Sequence, residues 1–182
     1  ISAGPVINSA RVEALQGDPN QPGTMYVAFG SGNLWKTTNN GLDWKPIFEN
    51  QPTLGIGDIA IAPSNSEILY LGTGESLRKN RNFTMPGTGV YRSDEGGETW
   101  RHLGLEETWH IGEIVVHPHN PDIVFVAAMG KFWSESTSKG IYRTINGGKD
   151  WERVLYINDN TRANDIVIAH SNPNIVYASM WE

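Results

Sequence analysis

The sequence predicts an all-β fold, a β-propeller of about three and a half four-stranded blades belonging to a larger ring, and three observations predict it. The 182 residues are 38% hydrophobic and include 20 glycines, which suits a turn-rich sheet protein better than packed helices. One turn occurs three times, as "TTNNGLDW" at 37–44, "SDEGGETW" at 93–100 and "TINGGKDW" at 144–151. Its tryptophans, Trp44, Trp100 and Trp151, are 56 and 51 residues apart. That period is longer than those of most helical repeats and fits a blade of four strands.

Within each repeat the elements read in order as strand, Pro/Asn turn, strand, loop, strand, Asn/Gly turn, strand. The first strand is marked by Ile59 and Ile61, Ile114 and Val116, Ile166 and Ile168; the second by Tyr70, Phe125 and Tyr177. The segment "RVEALQGDPNQPGTMYVAFG" follows the same plan more loosely. These apolar runs are short, β-branched and bounded by Pro, Asn and Ser, the mark of strands. The third strand carries an aromatic and a basic residue ahead of each turn: Trp35-Lys36, Tyr91-Arg92 and Tyr142-Arg143. Blades are thus expected at 8–52, 53–106 and 107–157, with a half blade at 158–182.

The turns are explained by their own chemistry. An Asn-Gly step takes up positive φ at little cost, and Thr, Ser and Asn side chains bond to their own turn backbone. A tryptophan just beyond adds a large apolar area. The three turns are therefore expected to be structural, with their tryptophans largely buried in equivalent places. The pattern resembles the Asp-box or BNR repeat, Ser/Thr-x-Asp-x-Gly-x-Thr-Trp, which joins the third and fourth strands of a propeller blade. Thr37, Asn39, Gly41, Asp43 and Trp44 match it, as do Thr144, Asn146, Gly148, Asp150 and Trp151. The middle copy matches at Ser93, Gly97, Thr99 and Trp100 but has Glu95 at the acid position, with Asp94 one residue early.

Across nearly the whole chain, "GPVINSARVEAL", "IGDIAIAPSN", "HIGEIVVHPHNPD" and "NPNIVYASMW" look most like bacterial exported proteins of the sortilin-like BNR class, many of them labelled glycosyl hydrolases. The resemblance implies an extracytoplasmic protein and a ring closed by further polypeptide or a second chain. Xyloglucanase-like Asp-box enzymes, which share the strand pattern, keep a catalytic Asp just after the second strand. The aligned positions here are Gly30, Gly74, Met129 and Trp181, with Glu75 one residue late. Sialidases use an arginine triad, and Arg11, Arg78, Arg81 and Arg162 are the arginines to consider.

The charge of −6 gives no basic footprint for nucleic acid. Without cysteine there is no disulfide framework or thiolate metal site. No apolar run approaches a membrane span, and "ISAGPVINSA" lacks the regions of a signal peptide. No cofactor is implied. His117 and His119 stand two apart but occupy a turn position and have no acidic cluster beside them in sequence, so no metal site is expected.

Function is expected on the rim opposite the repeat turns. The loop at 75–87 sets Glu75, Arg78, Lys79 and Arg81 among Phe83 and Met85, a mixture suited to acidic sugars, carboxylates or phosphate. Asn82-Phe83-Thr84 within it is a formal glycosylation acceptor. "KFWSESTSK" adds Lys131, Phe132 and Trp133, and "EETWHIGE" adds Glu106, Glu107, Trp109 and His110, where an indole beside carboxylates could stack and bond a sugar. The ligand residues expected are Glu75, Arg78, Lys79, Arg81, Trp109, His110 and Trp133. Glu75 is the best candidate for a catalytic acid. The resulting expectation is a non-catalytic glycan- or peptide-binding scaffold module, with part of a glycoside hydrolase as the alternative.

Overall fold

The computed structural model describes residues 11–76 and 84–182. Its strands fall into three four-stranded antiparallel sheets and one two-stranded pair, each ordered as in the chain. The first blade holds β1 (Val12–Gly17), β2 (Met25–Phe29), β3 (Leu34–Thr37) and β4 (Lys45–Pro46). The second holds β5 (Ile56–Ile61), β6 (Leu69–Thr73), β7 (Val90–Ser93) and β8 (Arg101–His102). The third holds β9 (Ile111–Val116), β10 (Val124–Ala128), β11 (Gly140–Thr144) and β12 (Glu152–Leu155). The pair β13 (Arg162–Ile168) and β14 (Val176–Trp181) begins a fourth. Successive first strands β1, β5, β9 and β13 lie beside one another, the arrangement of a partial β-propeller.

The core lies between blades, which explains why the strands are apolar on both faces. Tyr26, Ala28 and Leu34 meet Ile59, Leu69 and Leu71 between the first two blades. Tyr70, on the other face of β6, meets Ile114, Val124 and Val126 between the second and third. Ala127 and Ile141 meet Ala163 and Ile166 between the third and the pair.

Each first strand carries an irregularity at the same point, beside Val12/Ala14, Ile56/Asp58, Gly112 and Ala163/Asp165. A bulge bends the strand and raises its twist. There the backbones close in: a side chain at Gly57 would meet the Ile111 carbonyl at 2.0 Å, and one at Gly112 the Asn164 carbonyl at 2.5 Å. Asp58 fixes the same joint by accepting the backbone N–H of Ile114 at 2.8 Å.

The repeat turns cap themselves as expected. The Thr37 hydroxyl accepts the Gly41 N–H at 3.0 Å and donates to Asn39 Oδ1 at 2.9 Å; Asn39 Oδ1 also accepts the Asp43 N–H at 3.0 Å. Thr144, Asn146, Gly148 and Asp150 reproduce these bonds. In the middle turn Ser93 accepts the Gly97 N–H at 2.8 Å, but the longer Glu95 takes the Thr99 hydroxyl at 2.9 Å. Asp94 turns outward to Arg92 and Arg101.

The three tryptophans occupy equivalent places but are half-buried rather than deep in a core. Trp100 and Trp151 sit at the outer edge of the blade interface, where their indoles cross to the preceding blade. Trp100 donates to the Ile47 carbonyl at 2.7 Å and Trp151 to the Leu103 carbonyl at 2.8 Å. In each case the acceptor lies three residues beyond the previous blade's tryptophan. Phe48 packs edge-on against Trp100 with ring centroids 5.4 Å apart.

Removing the Trp100 side chain should cost about 3 kcal/mol, the low end for a large aromatic because it is half-buried. Trp100→Phe, which keeps the ring but loses the donor, should cost about 1 kcal/mol. Urea unfolding of both variants checks this; full stability retained by Trp100→Phe would contradict a contribution from the indole bond.

Candidate functional site: the loop rim

Antiparallel order sends the repeat turns to one end of the blades, and the second-to-third-strand loops and blade-to-blade connections to the other. At that rim a 3-10 turn (Glu106–Thr108) leads into Trp109, whose φ is positive at 58°. The Trp109 carbonyl accepts the Gly87 N–H at 2.7 Å, tying it to the second blade. Its partly exposed ring lies under Lys131, with Nζ 4.7 Å from the centroid.

His110 turns inward and is buried. Its Nδ1 lies 2.9 Å from the Gly130 carbonyl. A carbonyl only accepts, so Nδ1 carries the proton and Nε2 is left as a bare acceptor; that atom is buried and has no hydrogen-bond partner. Desolvation dominates and pushes the His110 pKa down to about 4, against the Gly130 contact, which raises it. The imidazole packs against Phe132 with the rings tilted by 40° and their centroids 4.2 Å apart, and Phe132 meets Trp133 edge-on at 6.0 Å. Arg162 stands over both Phe132, at 5.3 Å, and Trp181, at 5.9 Å.

With Trp109 next to His110 and Lys131 next to Phe132 in sequence, these contacts set Trp109, Lys131, Phe132, Trp133, Arg162 and Trp181 along one band of aromatic faces and cations. Trp133 is its most open member, 64% exposed. The loop bearing it is pinned from below by Lys139, whose buried ammonium donates to the Asp159 and Asn160 carbonyls at 2.7 and 3.3 Å. The Ser136 N–H also donates to Asp159, at 3.1 Å.

Glu75 lies apart from this band. Its side chain is fully buried, folds back over Gly30 and pairs with Arg11 of the first blade. The other carboxyl oxygen accepts the Met85 N–H at 3.3 Å, while the Glu75 N–H donates to the Met85 carbonyl at 2.9 Å. Next to it the Ser76 hydroxyl donates to Glu13 at 2.6 Å. The structure thus brings together Trp109, His110 and Trp133 and sets Glu75 in a separate carboxylate–arginine cluster. Arg78, Lys79 and Arg81, and the Asn82-Phe83 part of the glycosylation acceptor, lie outside the described residues.

Gly30, Gly74 and Met129 each directly follow a second strand, so the positions compared for a catalytic acid are equivalent, and none carries one. His117 does the work of a turn acid: its Nδ1 accepts the backbone N–H groups of His119 and Asn120, both at 3.2 Å, as Asp18 does for Asn20 and Gln21 in the first blade. No group of three or more metal-ligating side chains occurs among the described residues.

Sequence reasoning missed Arg162 and Trp181 as members of the band, Lys139 as its support, and Glu13 as the partner of Ser76 beside Glu75. The signal for the first two was present: in the β13–β14 hairpin Arg162 and Trp181 are directly opposed, and opposed residues share a face.

The buried neutral His110 makes stability depend on pH. Its folded pKa lies below the unfolded value, so the unfolded chain binds more protons between about pH 4 and 6.5. Its contribution is complete above the upper limit and is lost as pH falls through that window. His110→Gln should flatten the dependence of Tm on pH in this range; an unchanged slope would contradict the placement.

No family model matches the chain. Among curated proteins it is similar to Xyloglucanase Xgh74A of Acetivibrio thermocellus, with 27% identity over 177 aligned residues, covering 79% of this chain and 20% of that protein. A xyloglucanase of a Paenibacillus species is 25% identical over 181 residues, covering 81% of this chain and 16% of that protein. The chain thus spans about a fifth of the length of these relatives. Among solved structures, an ancestral GH74 enzyme superposes with a TM-score of 0.73 at 24% identity, covering 93% of this chain and 22% of the other. A GH74 enzyme of Niastella koreensis gives 0.65 at 20% identity, covering 93% and 26%. At these identities the structural likeness concerns the fold, and it supports a partial propeller.

Proposed function

We propose that this chain is part of a β-propeller glycoside hydrolase acting on a xyloglucan-type polysaccharide, to which it contributes a glycan-binding rim. The similarity to xyloglucanases over about four fifths of the chain carries the reading. It favours a hydrolase part over the free-standing binding module expected from the sequence, and an Asp-box propeller of the xyloglucanase kind over the sortilin-like kind. A polymeric substrate of this type accords with an extracytoplasmic location.

The band of Trp109, Lys131, Phe132, Trp133, Arg162 and Trp181 gives the reading a surface. Aromatic faces pack on the apolar faces of sugar rings, while cations and carbonyls at their edges bond hydroxyls. Hydrolysis itself takes two carboxyl groups across the scissile bond and water, with no cofactor. In this reading polypeptide beyond this chain completes that pair. Glu75, held by Arg11 and the Met85 N–H, positions the first rim loop instead of meeting substrate.

In the protein that contains this chain, Trp133→Ala should weaken xyloglucan-oligosaccharide binding about fivefold, equivalent to ~1 kcal/mol for one stacked aromatic, with Tm unchanged. Calorimetric titration checks it, and an unaltered affinity would count against the rim as the binding surface. Glu75→Gln should lower stability by on the order of 2 kcal/mol while hydrolysis persists, because it breaks the ion pair of a buried carboxylate with the partly exposed Arg11. Loss of hydrolysis with Tm intact would instead make Glu75 the catalytic acid.

A further inference from the structure

The rim loop of the third blade, 130–139, is held unequally along its length. Its far half is anchored by three groups: the Ser136 N–H and the Lys139 ammonium donate to the Asp159 carbonyl, and the Ser138 hydroxyl to the Glu107 carbonyl. The near half, 131–135, makes no backbone–backbone hydrogen bond among the described residues and starts from Gly130, a glycine at φ 67°. What holds it is His110. The Nδ1–H donates to the Gly130 carbonyl at 2.9 Å, and the ring packs against Phe132. His110, Gly130 and Phe132 belong to the connection and loop of the second and third blades, both complete four-stranded sheets.

A neutral imidazole fits this place and an imidazolium does not. The ring is 2% exposed and its Nε2 has no partner, so protonation would put a donor and a charge where neither acceptor nor water meets them. The charged groups on the surrounding elements offer no relief. Glu75, beyond Gly74, pairs with Arg11; Glu106 faces His102; Asp159 takes the Tyr156 hydroxyl; Lys131, Lys139 and Arg162 are themselves cations. Glu107, Glu113 and Glu135 complete the set, and no carboxylate is among the groups that act on the His110 charge. Only by leaving its seat against Phe132, and with it the Gly130 carbonyl, does a charged ring reach water.

We propose that His110 is the positioning residue of the rim: its neutral ring holds Phe132 and Trp133 in place, and its protonation lets 131–135 swing out between Gly130 and Ser136, so that acid switches off glycan binding before the propeller unfolds. The loop movement stands apart from the glycan reading, on which only the loss of binding rests. With the loop closed the imidazole pKa is about 4, and in water about 6.5, so the closed form is fully favoured above the upper value. Below it the ratio of open to closed loop rises by up to about tenfold per pH unit, roughly 300-fold in all. Opening is opposed by one hydrogen bond, one ring contact and the Arg162 cation over Phe132, few enough for that shift to make the open loop prevalent near the lower value.

The test is fluorine NMR of the protein that contains this chain, with 4-fluorophenylalanine at position 132, titrated from about pH 7 to about pH 4 beside its affinity for a xyloglucan oligosaccharide. The signal from position 132 should move to that of an open loop below about pH 5 while strand amides stay protected from hydrogen exchange, and affinity should fall at least about tenfold between about pH 6.5 and 4.5. In His110→Gln, whose amide still donates to Gly130 but takes up no proton, both readings should be flat; if that variant fails to fold, the wild-type titration decides alone. Movement at position 132 in a protein that binds no glycan even at neutral pH would uphold the loop switch and overturn the glycan reading. A signal unchanged to about pH 4, one that moves alike in His110→Gln, or one that moves while affinity stays constant would overturn the inference.

Discussion

The hydrogen bond from a repeat tryptophan to the preceding blade's carbonyl is the constraint on which the other features depend. It is made twice, by Trp100 to Ile47 and by Trp151 to Leu103, at nearly the same length. Because the acceptor lies at a fixed offset from the previous tryptophan, each bond sets how far one blade is advanced and turned against the next. The glycine three residues before each tryptophan allows the preceding apolar residue to seat, and the bulged first strands with Gly57 and Gly112 let the inner backbones close up. Trp44 faces the side where no earlier blade is described, and its indole nitrogen is buried without a partner.

A frame locked at one end frees the other for binding. The rim is held from below by buried polar groups that serve backbone carbonyls: Lys139 on Asp159 and Asn160, His110 on Gly130. Above them the aromatic rings and cations need only contact one another. Such a surface presents aromatic area already ordered, which would lower the entropic cost of the sugar binding proposed above. The Glu75–Arg11 pair plays the matching part between the first two blades, and its burial explains why a glutamate one residue past the compared position is not displayed at the rim.

Much of the fold was legible because the repeat is written in local chemistry. Thr37, Asn39 and Gly41 dictate their own turn, and the continuous apolar run around Tyr70 fits a strand buried on both faces. The half-exposure of the tryptophans was not legible, since a large aromatic reads as core until the neighbouring blade's carbonyl is in place. Of the candidate site, loop length and composition pointed to Trp109, His110 and Trp133, which the fold places near one another, whereas Arg162 and Trp181 join them only through a hairpin register and a neighbouring loop. The sequence also could not show that His117 replaces a turn acid, because the substitution is evident only from which backbone N–H groups its ring accepts.

Indole N–H exchange, read by NMR on the 182-residue chain, reports on this bond at each repeat tryptophan separately. The account predicts that the Trp100 and Trp151 indole protons exchange slowly and as a matched pair, at least about tenfold slower than the exposed Trp133 indole, while the Trp44 proton, lacking an acceptor, exchanges faster than either. Trp100 and Trp151 exchanging as fast as Trp133 would contradict it.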